Sequence, residues 1–258
     1  MVFLGGLHRS GTSLLFRLLR QHPLVSGFEG TGSPEDEGQH LQSVYQPAKA
    51  LGGEGRFGFH PGAHLVELAP DVAQAKSAAL FEQWGRYWDL GCPMLVEKSP
   101  PNLVRMRFLQ SMFPGARFVV IIRHPLAVAL AERKRVGRQT VWSLLNHWFA
   151  CHDTFSLDAP HIGQLLSLRY EDLLKEPQHT LERLLAFLEL PAAPGLSASE
   201  VTTGPSDRYR MEWERLSAHP LYRPYAALVA RRFEADANRY DYSIRDFSSV
   251  PFARSAEV

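Results

Sequence analysis

The apolar stretch Val2-Phe3-Leu4 runs directly into Gly6-Leu7-His8-Arg9-Ser10-Gly11-Thr12-Ser13, and leucines follow at positions 14, 15, 18 and 19. A short buried strand, a glycine-spaced turn and an amphipathic helix in that order constrain the fold more than any other part of the chain. The spacing is that of a phosphate-binding loop, G-x-x-x-x-G-K-[ST], which aims backbone N–H groups and a helix N-terminus at phosphate. Gly6 and Gly11 keep the spacing and Ser13 keeps the hydroxyl, but Thr12 stands where the lysine for the β- and γ-phosphates would be. The cation lies inside the loop instead, as Arg9 beside His8. Such a segment still calls for an anion and argues against ATP hydrolysis.

The rest of the chain alternates strands with helices. Arg117–Ile122 (RFVVII) is a continuous apolar run of the kind buried on both faces of a parallel sheet. With Val2–Gly6, Met94-Leu95-Val96 and Gln164–Arg169 it completes a set of expected strands. Helices are expected over Gly11–Gln21, from a cap at Asp71 to about Trp88, over Asn102–Phe113, from Pro125, over Thr140–Leu157, over Pro177–Leu190 and over Leu221–Tyr240. Residues 191–207 read as loop. This pattern predicts an α/β fold, a P-loop-like three-layer sandwich whose central parallel sheet has four to five strands and helices on both faces. The 258 residues read as one domain, 1–258. Glycines recur without periodicity from about 27 to 62, and Phe28, Tyr45, Phe57 and Phe59 there favour an ordered, substrate-facing loop.

A formal charge of +1 provides no electrostatic footprint for nucleic acid. The dense run Arg133-Lys134-Arg135 with Arg138 reads as a solvated helix end. Two cysteines, Cys92 and Cys151, make no disulfide framework, and no leader or apolar run of roughly 18 residues is present, so a cytoplasmic protein without a membrane span is expected. His60 and His64 flank Pro61-Gly62, which prevents a helix from presenting both on one face, so no metal site is expected. Apolar helix faces leave the oligomeric state open.

Three segments, HRSGTSLLFRLLRQHP, EKSPPNLVRMRFLQSMFPGARFVVIIRHP and LSLRYEDLLKEP, occur in order over residues 2–190. Together they resemble the sulfotransferases that use 3′-phosphoadenosine-5′-phosphosulfate. In an open α/β sheet the ligand sits beyond the carboxyl ends of the strands. Arg9, Lys98, Arg123 and Tyr170 each follow one strand and so converge on one crevice. The resemblance implies that His8, Arg9, Ser10, Gly11, Thr12 and Ser13 cradle the 5′-phosphosulfate, with Arg9 stabilising charge on the departing oxygen. Arg9 in place of a lysine is similar to the protein-tyrosine branch.

The resemblance further implies that Lys98 is a second active-site cation, that Arg123 binds the 3′-phosphate and that Tyr170 contacts adenine. A salt bridge for Lys98 and a core position for Tyr170 are the competing readings. The family carries a serine at the position of Ala131. Arg208 and Arg210 in SDRYRMEW, with Trp213 as landmark, resemble a late loop that would compensate. Sulfuryl transfer to a hydroxyl, or less readily an amine, needs a base for the acceptor's proton. Pro34-Glu35-Asp36-Glu37-Gly38-Gln39-His40 is similar to the E-E-x-Q stretch of the heparan N-sulfotransferases, which singles out Glu37, with His40, Glu35 and Glu29 as alternatives. The expected acceptor is a small molecule, a carbohydrate, a lipid-linked sugar or a peptide tyrosine, under loop 28–62 and the helices at 71–89 and 140–157. Trp84, Trp88, Trp142, Trp148 and Phe149 are there to line a pocket or, for most of them, to fill the core. The donor contains no triphosphate, so no metal is required. Two other readings stay open: an ATP-dependent small-molecule kinase on the same scaffold, and a catalytically silent nucleotide-binding protein.

Overall fold

The structure is a computed structural model that describes residues 1–193, 196, 201 and 204–248. Strands β1 (Val2–Gly5), β2 (Val25–Gly27), β3 (Met94–Lys98), β4 (Arg117–Ile122) and β5 (Leu165–Arg169) form one sheet in the order β2-β3-β1-β4-β5, and every pair is parallel. Successive strand residues point to opposite faces, and the core divides accordingly. Val2, Leu4, Val119, Ile121 and Leu168 pack against α1 (Thr12–Arg20) and α7 (Pro177–Phe187). Phe3, Phe118, Val120 and Ile122 pack on the opposite side, against a larger layer that includes α2 (Pro70–Trp84), α3 (Met106–Met112), α4 (Pro125–Val136) and α5 (Val141–Asp158). The helices α6 (Tyr170–Lys175), α8 (Gly204–Ala218) and α9 (Arg223–Asn238) complete the described elements. The expected three-layer parallel fold is the one observed.

Several boundaries differ from expectation. Strand β2 was not anticipated, because three residues (VSG) are too short to show a period. Helix α2 starts at Pro70 with Ala69 at its N-cap. Asp71 therefore sits in the first turn, where its charge favours the helix dipole but caps nothing. That helix stops at Trp84, short of Trp88. The helix expected over Asn102–Phe113 is a 3₁₀ turn at Pro100–Val104 followed by α3, with Arg105 (φ −136°) between them. Helix α6 follows β5 directly, and α8 occupies the SDRYRMEW stretch expected as loop. The rest of the loop expected at 191–207 lies largely outside the described residues.

The glycine-rich stretch from 27 to 62 is a chain of 3₁₀ turns held by polar side chains. Gln39 N donates to Ser99 Oγ at 2.9 Å, and Gln39 Oε1 accepts from Ala48 N at 2.8 Å. Trp84 Nε1 donates to Gly38 O at 3.0 Å, and Gly58 N donates to His147 Nε2 at 3.1 Å. Trp84 and Trp148 are wholly buried and Trp88 and Phe149 nearly so. Trp84, Trp88 and Trp148 build the core, whereas Phe149 and the half-buried Trp142 also line a surface hollow between α5 and α9.

Candidate active site

A cavity of about 510 Å³ opens beyond the carboxyl ends of the strands. One wall comes from the loop after β1. Gly6 (φ 145°) and Gly11 (φ 104°) hold backbone angles that L-residues disfavour, and a Cβ on Gly11 would lie 2.5 Å from the Tyr170 ring. Only glycine lets the loop pass so close beneath Tyr170. Arg9 itself is left-handed (φ 67°) and exposed. Its carbonyl accepts from Arg123 Nη1 at 2.9 Å, which ties the loop to the end of β4. The Arg123 guanidinium lies 4.1 Å from the Tyr170 ring centre and 5.5 Å from that of Tyr209. Trp148 Nε1 donates to the Arg123 carbonyl at 3.1 Å, so a core aromatic fixes the backbone that carries this cation. Helix α1 aims its N-terminus at the cavity, where Thr12 and Ser13 line the wall. Ser10 Oγ is buried and finds no hydrogen-bond partner among the described residues.

The opposite wall carries the acids. Lys98 is fully buried, and its Nζ donates to Glu35 O at 2.8 Å and to Glu37 Oε1 at 3.3 Å. The other Glu37 oxygen accepts from Gln39 Nε2 at 2.5 Å and lies 3.8 Å from His40 Nε2. Burial pushes the Glu37 carboxyl above its ordinary value, and the Lys98 charge opposes that shift. Behind it Glu97 is wholly buried and accepts from Ser99 Oγ and Asn102 Nδ2, each at 2.5 Å, and burial raises it to about 7. Burial also lowers His40, and it takes His8 down to about 3, so both rings are neutral near pH 7.

His8, Arg9, Gly11, Thr12, Ser13, Arg123 and Tyr170 share this cavity with Glu35, Glu37 and His40. Lys98 is not part of the lining, because its charge is spent beneath Glu37. Glu29 pairs with Arg20 instead and does not line the cavity. Arg208 and Arg210 are exposed on α8 and stand outside it, with Arg210 paired to Asp207 at 3.4 Å. Tyr209 between them turns inward. Sequence reading missed it, although Tyr209, Trp213 and Leu216 follow helical spacing and so share one face. Arg135 was missed as well. It lies one turn after Ala131 on α4, lines the same cavity and pairs with Glu54 at 3.1 Å, so the basic run is only partly a solvated face.

Adjacent to Ala131, Glu132 is 1% exposed, and neither of its oxygens finds a partner among the described residues. Burial, with a smaller push from Glu54, raises it to about 8. His64 Nε2 sits 2.9 Å from Asp158 Oδ2 while His60 Nδ1 accepts from Gly62 N, so the two histidines serve separate contacts. Among the described residues no three His, Cys, Asp or Glu side chains are grouped to hold a metal. No helix among them is long and apolar enough to cross a membrane.

A family model described as "Sulfotransferase family" matches residues 2–194. The chain is 26% identical over 205 residues to a putative protein-tyrosine sulfotransferase of Caenorhabditis briggsae, covering 74% of this chain and 65% of that protein. It is 29% identical over 147 residues to nodulation protein NoeE of Sinorhizobium fredii, covering 52% of this chain and 31% of that protein. The chain thus spans less than two thirds of these relatives. A solved sulfotransferase from Alicyclobacillus acidocaldarius superposes with a TM-score of 0.47 at 17% identity, over 92% of this chain and 95% of that one.

Proposed function

This chain belongs to the sulfotransferase family, and we propose that it moves the sulfuryl group of 3′-phosphoadenosine-5′-phosphosulfate to an acceptor hydroxyl. The observation that carries this reading is the meeting, in one cavity, of a lysine-free phosphate loop, the buried Arg123 and a burial-raised carboxyl at Glu37. The N-terminus of α1, with the Thr12 and Ser13 hydroxyls on the cavity wall, supplies donors where a 5′-anion fits, whereas the buried Ser10 does not line the cavity. Arg123 has the planar fork that suits a phosphate, with Tyr170 and Tyr209 alongside for the ring system. An ATP-dependent kinase is disfavoured because Thr12 replaces the lysine that would meet a γ-phosphate.

The donor supplies a sulfur–oxygen bond, and that bond breaks as the acceptor oxygen bonds to sulfur. Glu37 takes the acceptor's proton. Its raised proton affinity suits a base working near neutrality. Lys98 holds the Glu37 carboxylate in place and so acts on the base, while Arg9 stabilises the negative charge left on the departing phosphate oxygen. Protein-tyrosine hydroxyls are one acceptor class, as the name of the C. briggsae relative indicates.

Calorimetry with 3′-phosphoadenosine-5′-phosphate tests the donor half. Saturable binding that weakens about tenfold to a hundredfold in Arg123→Ala is expected, the loss of a charged hydrogen-bonding partner. Binding that is unchanged in that variant would show that the nucleotide sits elsewhere.

A further inference from the structure

The main cavity is not closed on the acceptor side. Gly53, Glu54 and Arg135 belong both to its lining and to that of a second depression, which continues over Arg56 to Arg138 and Gln139. Arg138 and Gln139 in turn belong to a third hollow of about 330 Å³ between the α4–α5 junction and the α8–α9 pair. The three hollows therefore lie side by side and share walls in that order. Their chemistry changes along the way. At the start stand Glu37 and the donor loop. In the middle Arg56, Arg135 and Arg138 face a single acid, Glu54, which Arg135 already engages at 3.1 Å, so positive charge is in excess. At the far end the lining is apolar and aromatic, with Val141, Trp213, Leu216, Tyr222, Tyr225 and Ala226. Arg133 and Arg138 stand at its rim without an ion pair among the described residues.

Beside that hollow the chain leaves apolar surface in water. Leu221 is 81% exposed and Tyr222 50% exposed. Neither is needed by the core, and exposed apolar area next to a cavity is a feature of binding surfaces.

We infer that the acceptor is an amphiphile, with a hydroxyl-bearing head at Glu37, an anionic linker over Arg56, Arg135 and Arg138, and an apolar tail in the hollow between α4–α5 and α8–α9. This rests on the sulfotransferase reading and specifies its substrate class. A neutral polar acceptor would make no use of the excess positive charge and would leave the apolar hollow hydrated. An acidic peptide would satisfy the arginines but bring backbone N–H and C=O groups into a hollow that has few partners for them.

Decyl phosphate, kept below its micellar concentration, is a probe for linker and tail together. Calorimetry should show one saturable site, with decanol and inorganic phosphate each at least tenfold weaker. Arg138→Glu should weaken decyl phosphate about tenfold or more, and Leu216→Arg likewise. Arg138 is exposed, so that variant stays informative even where Leu216→Arg perturbs α8. Both should keep wild-type affinity for 3′-phosphoadenosine-5′-phosphate. Decyl phosphate that fails to saturate, or that binds both variants as it binds the parent, overturns the inference while nucleotide binding leaves the donor reading standing. A parent chain that takes decyl phosphate but no nucleotide keeps the amphiphile site and overturns the donor reading.

Discussion

The two walls of the cavity are built by different means. On the donor wall, Arg9, Arg123 and Tyr170 each stand within a residue or a few of a strand end, so sheet topology alone brings them together. On the other wall, Glu35 and His40 belong to two 3₁₀ turns and Glu37 is the extended residue that joins them, and no strand supports any of the three. They are placed by contacts to residues far along the chain: Gln39 N to Ser99, Trp84 to Gly38 O, and Lys98 to Glu35 O and Glu37. On the proposed reading, the fold fixes where a nucleotide would go and the side-chain ties fix where a proton would go. Damage to the first wall should therefore appear in binding and damage to the second in rate.

The sharpest test of this division is Glu37→Gln. Turnover should fall about 10²- to 10⁴-fold, the range for losing a general base, while nucleotide affinity measured by calorimetry stays unchanged. The parent rate should rise with pH through a value above that of an ordinary glutamate, because burial raises this carboxyl and its ionised form is the active one; the variant should lose that limb. A Glu37→Gln chain that binds nucleotide poorly would break the comparison.

Gly11→Ala is the counterpart on the donor wall. The new methyl meets Tyr170 and the backbone is held at φ 104°. Left-handed strain alone costs about 1–3 kcal/mol, so nucleotide affinity should fall roughly tenfold to a hundredfold.

Glu132, buried on α4 within the electrostatic reach of Glu54 and Arg9, should affect stability in a pH-dependent way. Unfolded, its carboxyl ionises near pH ~4.3; folded, it holds the proton to about 8. The native state therefore binds the extra proton between these values, and its stability falls as pH rises through that window. Glu132→Gln should remove this slope, with thermal unfolding showing the variant more stable than the parent at pH 8.5 by on the order of 1–4 kcal/mol. Equal slopes in the two proteins would show that Glu132 is ionised in the fold. The smallest effect belongs to the exposed pair of Lys134 with Glu212. Lys134→Ala should cost no more than about 1 kcal/mol in unfolding free energy, and a larger loss would mean that α8 is held to α4 chiefly by charge.

The donor wall was legible because its residues lie in short contiguous motifs and a parallel sheet assembles strand ends without further information. Glu37 could be singled out by its neighbours, but its tie to a fully buried Lys98 could not, since that contact spans 61 positions. The resemblance of SDRYRMEW to a late loop points to Arg208 and Arg210, whereas the stretch is helical and its inward face carries the tyrosine between them. Arg135 was hidden in a run of three cations in which composition does not distinguish the inward member. Strand β2 and helix α6 were too short to show a period, and Asp71 could not show that Pro70 had already started its helix.

The hydrogen bond from Arg123 Nη1 to the Arg9 carbonyl would make the two ends of the proposed nucleotide site one mechanical unit. A fragment that carries only the 5′-anion would stiffen the loop and with it the guanidinium at the far end. A fragment that carries only the 3′-anion would do the reverse. By thermodynamic reciprocity each should improve the other's affinity by the same factor, which pairwise titrations would reveal. A donor that has lost either anion would then forfeit more than that anion's own contacts, so the chain would discriminate between intact donor and its breakdown products by cooperativity.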